Sequence, residues 1–412
     1  MKNRGWQVAL AGTGINLALG VLYAWSIFKK AITDSITAGG EGAFQWDMAS
    51  VNDPYALACL VFAFTMIIAG KFQDKFGPRL TAMLGGLLVG SGFMLISQTN
   101  DYLAWILGFG VLAGAGMGFG YSAATPPALK WFPPAKTGLI AGIVVSGFGL
   151  APVYIAPLAK YLLSTVGLQQ AMMIFGIGFT LIVCTLAMSI VNPPVSESSA
   201  ASKATSNKPT TDYAPSDILK DRRFYLLWLI YFIGAGAGLM VIGSVAGMAK
   251  QSLGPMAFVA VAIMAVGNAG GRIVAGVLSD KIGRINTLVC MLSFQAILMF
   301  AAIPVLGANA NAILLTLLAT FIGFNYGTNL ALFPSFAKDY WGLKNFGMNY
   351  GLLFTAWGMG AFVLVRVAET IKAASGNFSS AFALAGGLLI VSALLTFTLR
   401  TRSARLQSAM AH

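Results

Sequence analysis

Charge, cysteine and histidine are scarce in this chain, and each shortage closes off a kind of chemistry. Of 412 residues only 9% are charged, three are cysteine and one is histidine, His412 at the very end. With no internal histidine and no cysteine cluster, neither a metal site nor a histidine relay is expected. No acid lies in the central part of any long apolar run, so the usual constellation for acid–base catalysis is missing and neither an enzyme nor a cofactor is expected. A Gly-Lys-Ser/Thr phosphate loop is missing too. The only Gly-Lys pair, Gly70-Lys71, runs on into Phe72, which argues against an ATP-driven pump. Cys59, Cys184 and Cys290 each fall in an apolar run and read as buried free thiols.

What the chain has is grease: 57% apolar residues, with 48 glycines. That composition suits lipid rather than water. A run near 20 residues matches a hydrocarbon core roughly 30 Å thick at about 1.5 Å per residue. Twelve such runs occur, at 5–28, 51–70, 80–97, 102–127, 137–163, 168–191, 224–248, 255–279, 287–305, 311–336, 346–371 and 377–399. They are too long and too continuously apolar for the tilted strands of a barrel. The predicted fold class is therefore an all-α integral membrane protein, with the lipid bilayer as its main partner.

The net charge of +13 would direct a soluble protein toward nucleic acid, but its placement excludes that partner here. Lysine and arginine crowd the termini and the even-numbered loops, while the odd-numbered loops hold only Lys29, Lys30, Lys160, Lys250 and Lys372. The positive-inside rule then places both termini in the cytoplasm, across a cell inner (plasma) membrane. Lys2 and Arg4 precede an apolar stretch too long for a signal-peptide core, so the first span is expected to stay.

Residues 192–222 interrupt the pattern with Asn192-Pro193-Pro194 followed by Ser, Thr, Ala and Lys. This reads as a polar cytoplasmic linker ending near a short interfacial helix. It divides a six-helix bundle at 1–191 from another at 223–412. Each half carries the same pattern after its second span, Gly-x-x-x-Asp-Lys-x-Gly, from Gly70 to Gly77 and from Gly276 to Gly283. Gly77 and Gly283 permit a sharp turn, while Asp74 and Asp280 can accept backbone N–H groups at a helix N-terminus. With Lys75, Arg79, Lys281 and Arg284 beside them, these loops are either a latch on one conformational state or only tight solvated hairpins.

The duplicated loop resembles the signature of the major facilitator superfamily, and the likeness spans the whole chain. It implies two parallel six-helix halves with a substrate site near the bilayer midplane between them.

One residue stands out within that frame. Arg272, in Asn268-Ala269-Gly270-Gly271-Arg272, lies deep in the eighth span, where a charge is expensive and faces a partner, a wet cavity or the headgroups. Its planar donor fork matches a carboxylate. Asn268 sits one turn earlier on the same face, in reach of the same ligand.

That stretch, with Tyr23-Ala24-Trp25, Gly114–Gly118 leading to Tyr121, and Ala331-Leu332-Phe333-Pro334-Ser335, resembles the bacterial oxalate/formate antiporter group, which is related to the monocarboxylate transporters. By this resemblance Arg272 binds a substrate carboxylate, and Tyr23, Tyr121 and Tyr326 line the cavity. Asn325 and Asn329 share a face of the tenth span, and Trp357 with Phe354 either caps the cavity or packs. Where the oxalate exchanger has a lysine in the eleventh span this chain has Trp357, leaving one central cation and favouring a monoanion over oxalate. The helix 1 lysine of animal monocarboxylate carriers is also missing, with Ile27 near its place.

Two acids near the outer ends are candidates for carrying a proton. Glu369 either does so or pairs with Arg366 one turn away; Asp53 either does so or caps the second span. The expected function is secondary transport of a small monocarboxylate, lactate- or pyruvate-like, with a proton, by a monomer. Exchange of two carboxylates is the alternative, ahead of a channel or a membrane-embedded enzyme.

Overall fold

The computed structural model describes residues 4–194, 212–253, 257–306 and 311–409. Among them are twelve helices long and apolar enough to cross a membrane: α1 (Gly5–Ala38), α2 (Ser50–Phe76), α3 (Pro78–Ile96), α4 (Tyr102–Trp131), α5 (Pro134–Thr165), α6 (Gly167–Ala187), α7 (Arg222–Ile242), α8 (Val259–Ile282), α9 (Arg284–Val305), α10 (Ile313–Trp341), α11 (Phe346–Lys372) and α12 (Ser379–Leu399). No strand occurs among the described residues. Helix is the answer lipid enforces, because each backbone N–H must find its acceptor within its own segment.

Several helices outrun the apolar stretches that announce them. α1 continues through Lys29 and Lys30 to Ala38 after a 3-10 turn at Gly20–Ala24. α4 includes a π-helical stretch at Ile106–Ala113 and passes Pro126 and Pro127 before ending at Trp131. The two prolines remove N–H donors, but tightly packed neighbours tolerate the break.

The neighbour relations of the first six helices recur in the last six. α3 packs on α6 as α9 packs on α12, α2 on α4 as α8 on α10, and α1 on α5 as α7 on α11. The two main crossings between the sets are α2 with α11 and α5 with α8. Both depend on missing side chains: a Cβ on Gly70 would lie 2.2 Å from the Gly347 carbonyl oxygen, and one on Gly138 2.3 Å from that of Gly276. With lipid as apolar as leucine, such close backbone contact is what holds membrane helices together.

Peripheral faces are correspondingly greasy, with Leu10, Leu181, Ile297 and Leu394 at 61–63% exposure. This corrects the cysteine expectation. Cys59 is buried, but Cys184 is intermediate and Cys290, on the outlying α9, is exposed. An apolar run in a membrane helix does not imply burial, since hydrocarbon solvates the same side chains.

The described end of the linker is docked rather than loose. Asp212 accepts from the Leu343 and Lys344 amides, and the Tyr213 carbonyl accepts from Asn345 and Asn349. A short helix follows at Pro215–Ile218. Burial opposes the charge on Asp221, yet its bonds with Arg223 and Trp341 hold the carboxyl below its ordinary range. Most of the linker, 195–211, and His412 lie outside the described residues.

Candidate functional site

Helices α5, α8 and α10 converge on Arg272 because glycine lets them. A Cβ on Gly271 would fall 1.9 Å from the Phe324 carbonyl oxygen of α10, and one on Gly142 of α5 would fall 2.3 Å from the Arg272 carbonyl. Gly149, also on α5, leaves room for the guanidinium itself, since a Cβ there would sit 3.0 Å from Arg272 Nε.

Arg272 is 0% exposed. Its Nε donates to Asn268 Oδ1 at 3.0 Å and its Nη1 donates to the Val145 carbonyl of α5. Nη2 has no partner. The arginine is thus aimed by neutral acceptors, and one face of its fork is free for an anion. This changes the part expected of Asn268: with its Oδ1 on the arginine one turn away, it positions the guanidinium.

Aromatic rings from both halves surround this charge. Tyr23 of α1 and Tyr326 of α10 share a hydrogen bond of 2.5 Å between hydroxyls, and Trp357 Nε1 of α11 donates to Tyr326 at 2.8 Å. Phe354 stacks on Trp357, ring centroids 5.1 Å apart. Tyr121 of α4 lies 5.5 Å from Phe354, its hydroxyl buried without a partner. The charge of Arg272 acts on the hydroxyls of Tyr23, Tyr121, Tyr326 and Tyr350.

Sequence reasoning passed over several members of the cluster. Phe62 of α2 contacts Tyr121, Phe148, Phe354 and Trp357, with centroids 5.2–5.8 Å apart, and Phe148 of α5 meets Tyr23 and Tyr121 edge-on. A phenylalanine in an apolar run has no local signal to separate it from lipid-facing neighbours. Tyr350 did have one, since it precedes Phe354 and Trp357 by one and two helical turns.

Other expected residues are placed elsewhere. Asn325 Nδ2 turns back to the Phe321 carbonyl of its own helix at 3.3 Å. Asp53, in the first turn of its helix and not its cap, accepts from Tyr102 at 2.8 Å. The side chain of Glu369 lies outside the described residues, and Arg366 rests 5.3 Å over Phe362.

At the face holding the chain termini, the repeated loops reach across the two halves. Gly77 and Gly283 both take positive φ, 87° and 88°, at the predicted turns. Asp280 accepts from the Gly138 and Leu139 amides of α5, each at 2.9 Å, and Arg284 bonds Asp280 at 2.6 Å and Asp339 at 2.9 Å. Asp74 accepts from the Met348 amide of α11 at 3.3 Å. Lys338 of α10 also donates to Thr137 of α5. Arg79 donates to the Met188 carbonyl at 2.9 Å, Lys75 lies over Phe76, and Lys281 is exposed.

Comparison with known proteins agrees with this architecture. The Major Facilitator Superfamily profile matches residues 5–365. An uncharacterized MFS-type transporter of Escherichia coli, YhjX, is 30% identical over 86% of this chain and 85% of its own length. The oxalate:formate antiporter of Oxalobacter formigenes is 29% identical over 86% of this chain and 82% of its own. Human monocarboxylate transporter 11 is 24% identical over 94% of this chain and 81% of its own. Among solved structures, the fucose:proton symporter of Escherichia coli superposes with a TM-score of 0.67 at 16% identity, over 95% of this chain and 98% of that one. At that identity the likeness speaks for the fold alone. Profile, relatives and helix arrangement agree that this chain belongs to the major facilitator superfamily and is a multi-pass membrane transporter.

Proposed function

We propose that the protein is a secondary transporter of small monocarboxylates, lactate- or pyruvate-like, coupled to a proton. It lies in the inner membrane with both termini in the cytoplasm and works as a monomer. The observation that carries this reading is Arg272, fully buried, aimed by neutral oxygens, with Nη2 unpartnered. A charge left so in the membrane is costly, and a visiting carboxylate supplies what is missing. The aromatic ring around it suits a short apolar tail, and Trp357 keeps the site to one cation. Relatives named for oxalate, formate and monocarboxylate transport point to the same class of cargo.

A second reading, exchange of two carboxylates, draws on a specific observation. Among the described residues no aspartate or glutamate stands in the central cluster, so no carboxyl there carries a proton beside Arg272. Uptake of labelled lactate, pyruvate, formate and oxalate into proteoliposomes separates the two. Symport predicts monocarboxylate uptake that rises when the outside is made acid relative to the lumen. Oxalate uptake that requires formate inside would establish the exchanger instead.

In the transport cycle, the halves 1–191 and 223–412 rock about the site, and the repeated loops latch the cytoplasmic face. Asp280 is the central tie, since it holds both α5 amides and Arg284. Asp280→Asn removes a charge-assisted set worth about 1–3 kcal/mol. The closed cytoplasmic face should then open more often. A cysteine placed at Leu139 is expected to react with a membrane-impermeant thiol reagent at least about fivefold faster from that side. An unchanged rate would leave the loop as a plain hairpin.

A further inference from the structure

The carboxylate anchor leaves part of the central cluster without a task. Tyr121, Tyr231 and Tyr350 are 2%, 0% and 3% exposed, and each hydroxyl is buried with no hydrogen-bond partner. They come from α4, α7 and α11, yet their rings surround one side chain, Phe354, with centroids 5.5, 6.2 and 5.7 Å away. The Tyr350 hydroxyl interacts directly with those of Tyr121 and Tyr231, but neither contact meets hydrogen-bond geometry. The charge of Arg272 acts on Tyr121 and Tyr350, so these two lie within electrostatic reach of the guanidinium. The contrast with Tyr23, Tyr326 and Trp357 is direct, because those three satisfy one another.

Packing alone favours phenylalanine at such positions. A hydroxyl taken out of water and left unbonded is a net cost, and here the cost is repeated on three helices that meet only in the folded protein. Three convergent donors imply an acceptor among them. Apart from Arg272, no cation among the described residues accompanies them, which disfavours a second carboxylate; a carbonyl or hydroxyl oxygen accepts up to two such bonds and brings no charge.

We propose that Tyr121, Tyr231 and Tyr350 form a second polar subsite, which hydrogen-bonds an uncharged oxygen of the cargo while Arg272 Nη2 holds its carboxylate. This rests on the carboxylate reading of Arg272 and narrows it to short acids bearing a 2-oxo or 2-hydroxyl group. Tyr231 and Tyr350 thereby become specificity-determining residues. A trapped water would satisfy the same donors but would be indifferent to the oxygen on the cargo.

The test is binding of pyruvate and propionate, which differ by one carbonyl oxygen, to the purified full-length protein at neutral pH, where both acids are ionised. The wild-type protein is expected to prefer pyruvate by at least about tenfold, and Tyr231→Phe and Tyr350→Phe each to reduce that preference about five- to tenfold, the size of one hydrogen bond. Equal affinity of the wild-type protein for both acids, or a preference untouched in the folded variants, overturns the subsite and leaves the Arg272 anchor standing. Failure of the wild-type protein to bind either acid overturns both. The wild-type ratio needs no substitution, so a variant that does not fold cannot shield the idea.

Discussion

Arg272→Ala is expected to lower monocarboxylate binding by at least about 100-fold while the protein still inserts and folds. Truncating one partner of a buried charged pair costs about 2–5 kcal/mol, and about 2.7 kcal/mol is already a factor of 100. Folding should survive because the partners lost, Asn268 Oδ1 and the Val145 carbonyl, are both neutral. Arg272→Lys is the sharper companion. It keeps the charge but not the planar fork that lets Nε and Nη1 hold the frame while Nη2 faces the cargo, so it should bind only weakly. Direct binding to the monodisperse protein, with the melting temperature as a check on folding, gives the result. Affinity retained in Arg272→Ala would remove the anchor and with it the anion reading.

Trp357→Lys should change the charge class of the cargo. With Arg272 alone, a monoanion neutralises the site and a dianion leaves one uncompensated negative charge deep in the membrane, which costs several kcal/mol. Adding a cation at 357 reverses that balance. Trp357 is 1% exposed and sits on Phe354 and Phe62, so the new ammonium would lie inside the aromatic ring and not at its edge. The expected result is a loss of lactate and pyruvate uptake by about tenfold or more, with oxalate becoming the better competitor. The substitution also removes a large ring and its bond to Tyr326, so the unliganded variant should melt lower, and oxalate should recover part of that loss. A variant that still prefers monoanions would show that cargo charge is selected elsewhere.

The contrast between Asn268 and Arg272 shows how far the site was legible in one dimension. A guanidinium inside an apolar run declares itself, because no hydropathy argument accommodates it. An asparagine one turn away declares only that it shares a face; whether its oxygen meets the ligand or the arginine depends on the rotamer that α5 and α10 leave open. The aromatic members divide in the same way. Tyr23, Tyr121 and Tyr326 stood out by resemblance and Trp357 by departure from it, whereas Phe62, Phe148 and Tyr231 gave no local sign. The acids at the helix ends, Asp53 and Glu369, were legible as rare charges but not as partners, and Asp53 is taken by Tyr102.

Sequence by itself determined the solvent, the number of membrane passages, the duplication and the presence of one stranded cation, since each depends on quantities that add along the chain: run length, spacing and charge. Tertiary structure alone decided which helix faces meet. In lipid an apolar residue gains nothing by turning inward, so hydropathy does not set how each helix is rotated about its axis. That rotation is what exposed Cys290, put Asn268 on the arginine and left three buried tyrosine hydroxyls short of a hydrogen bond.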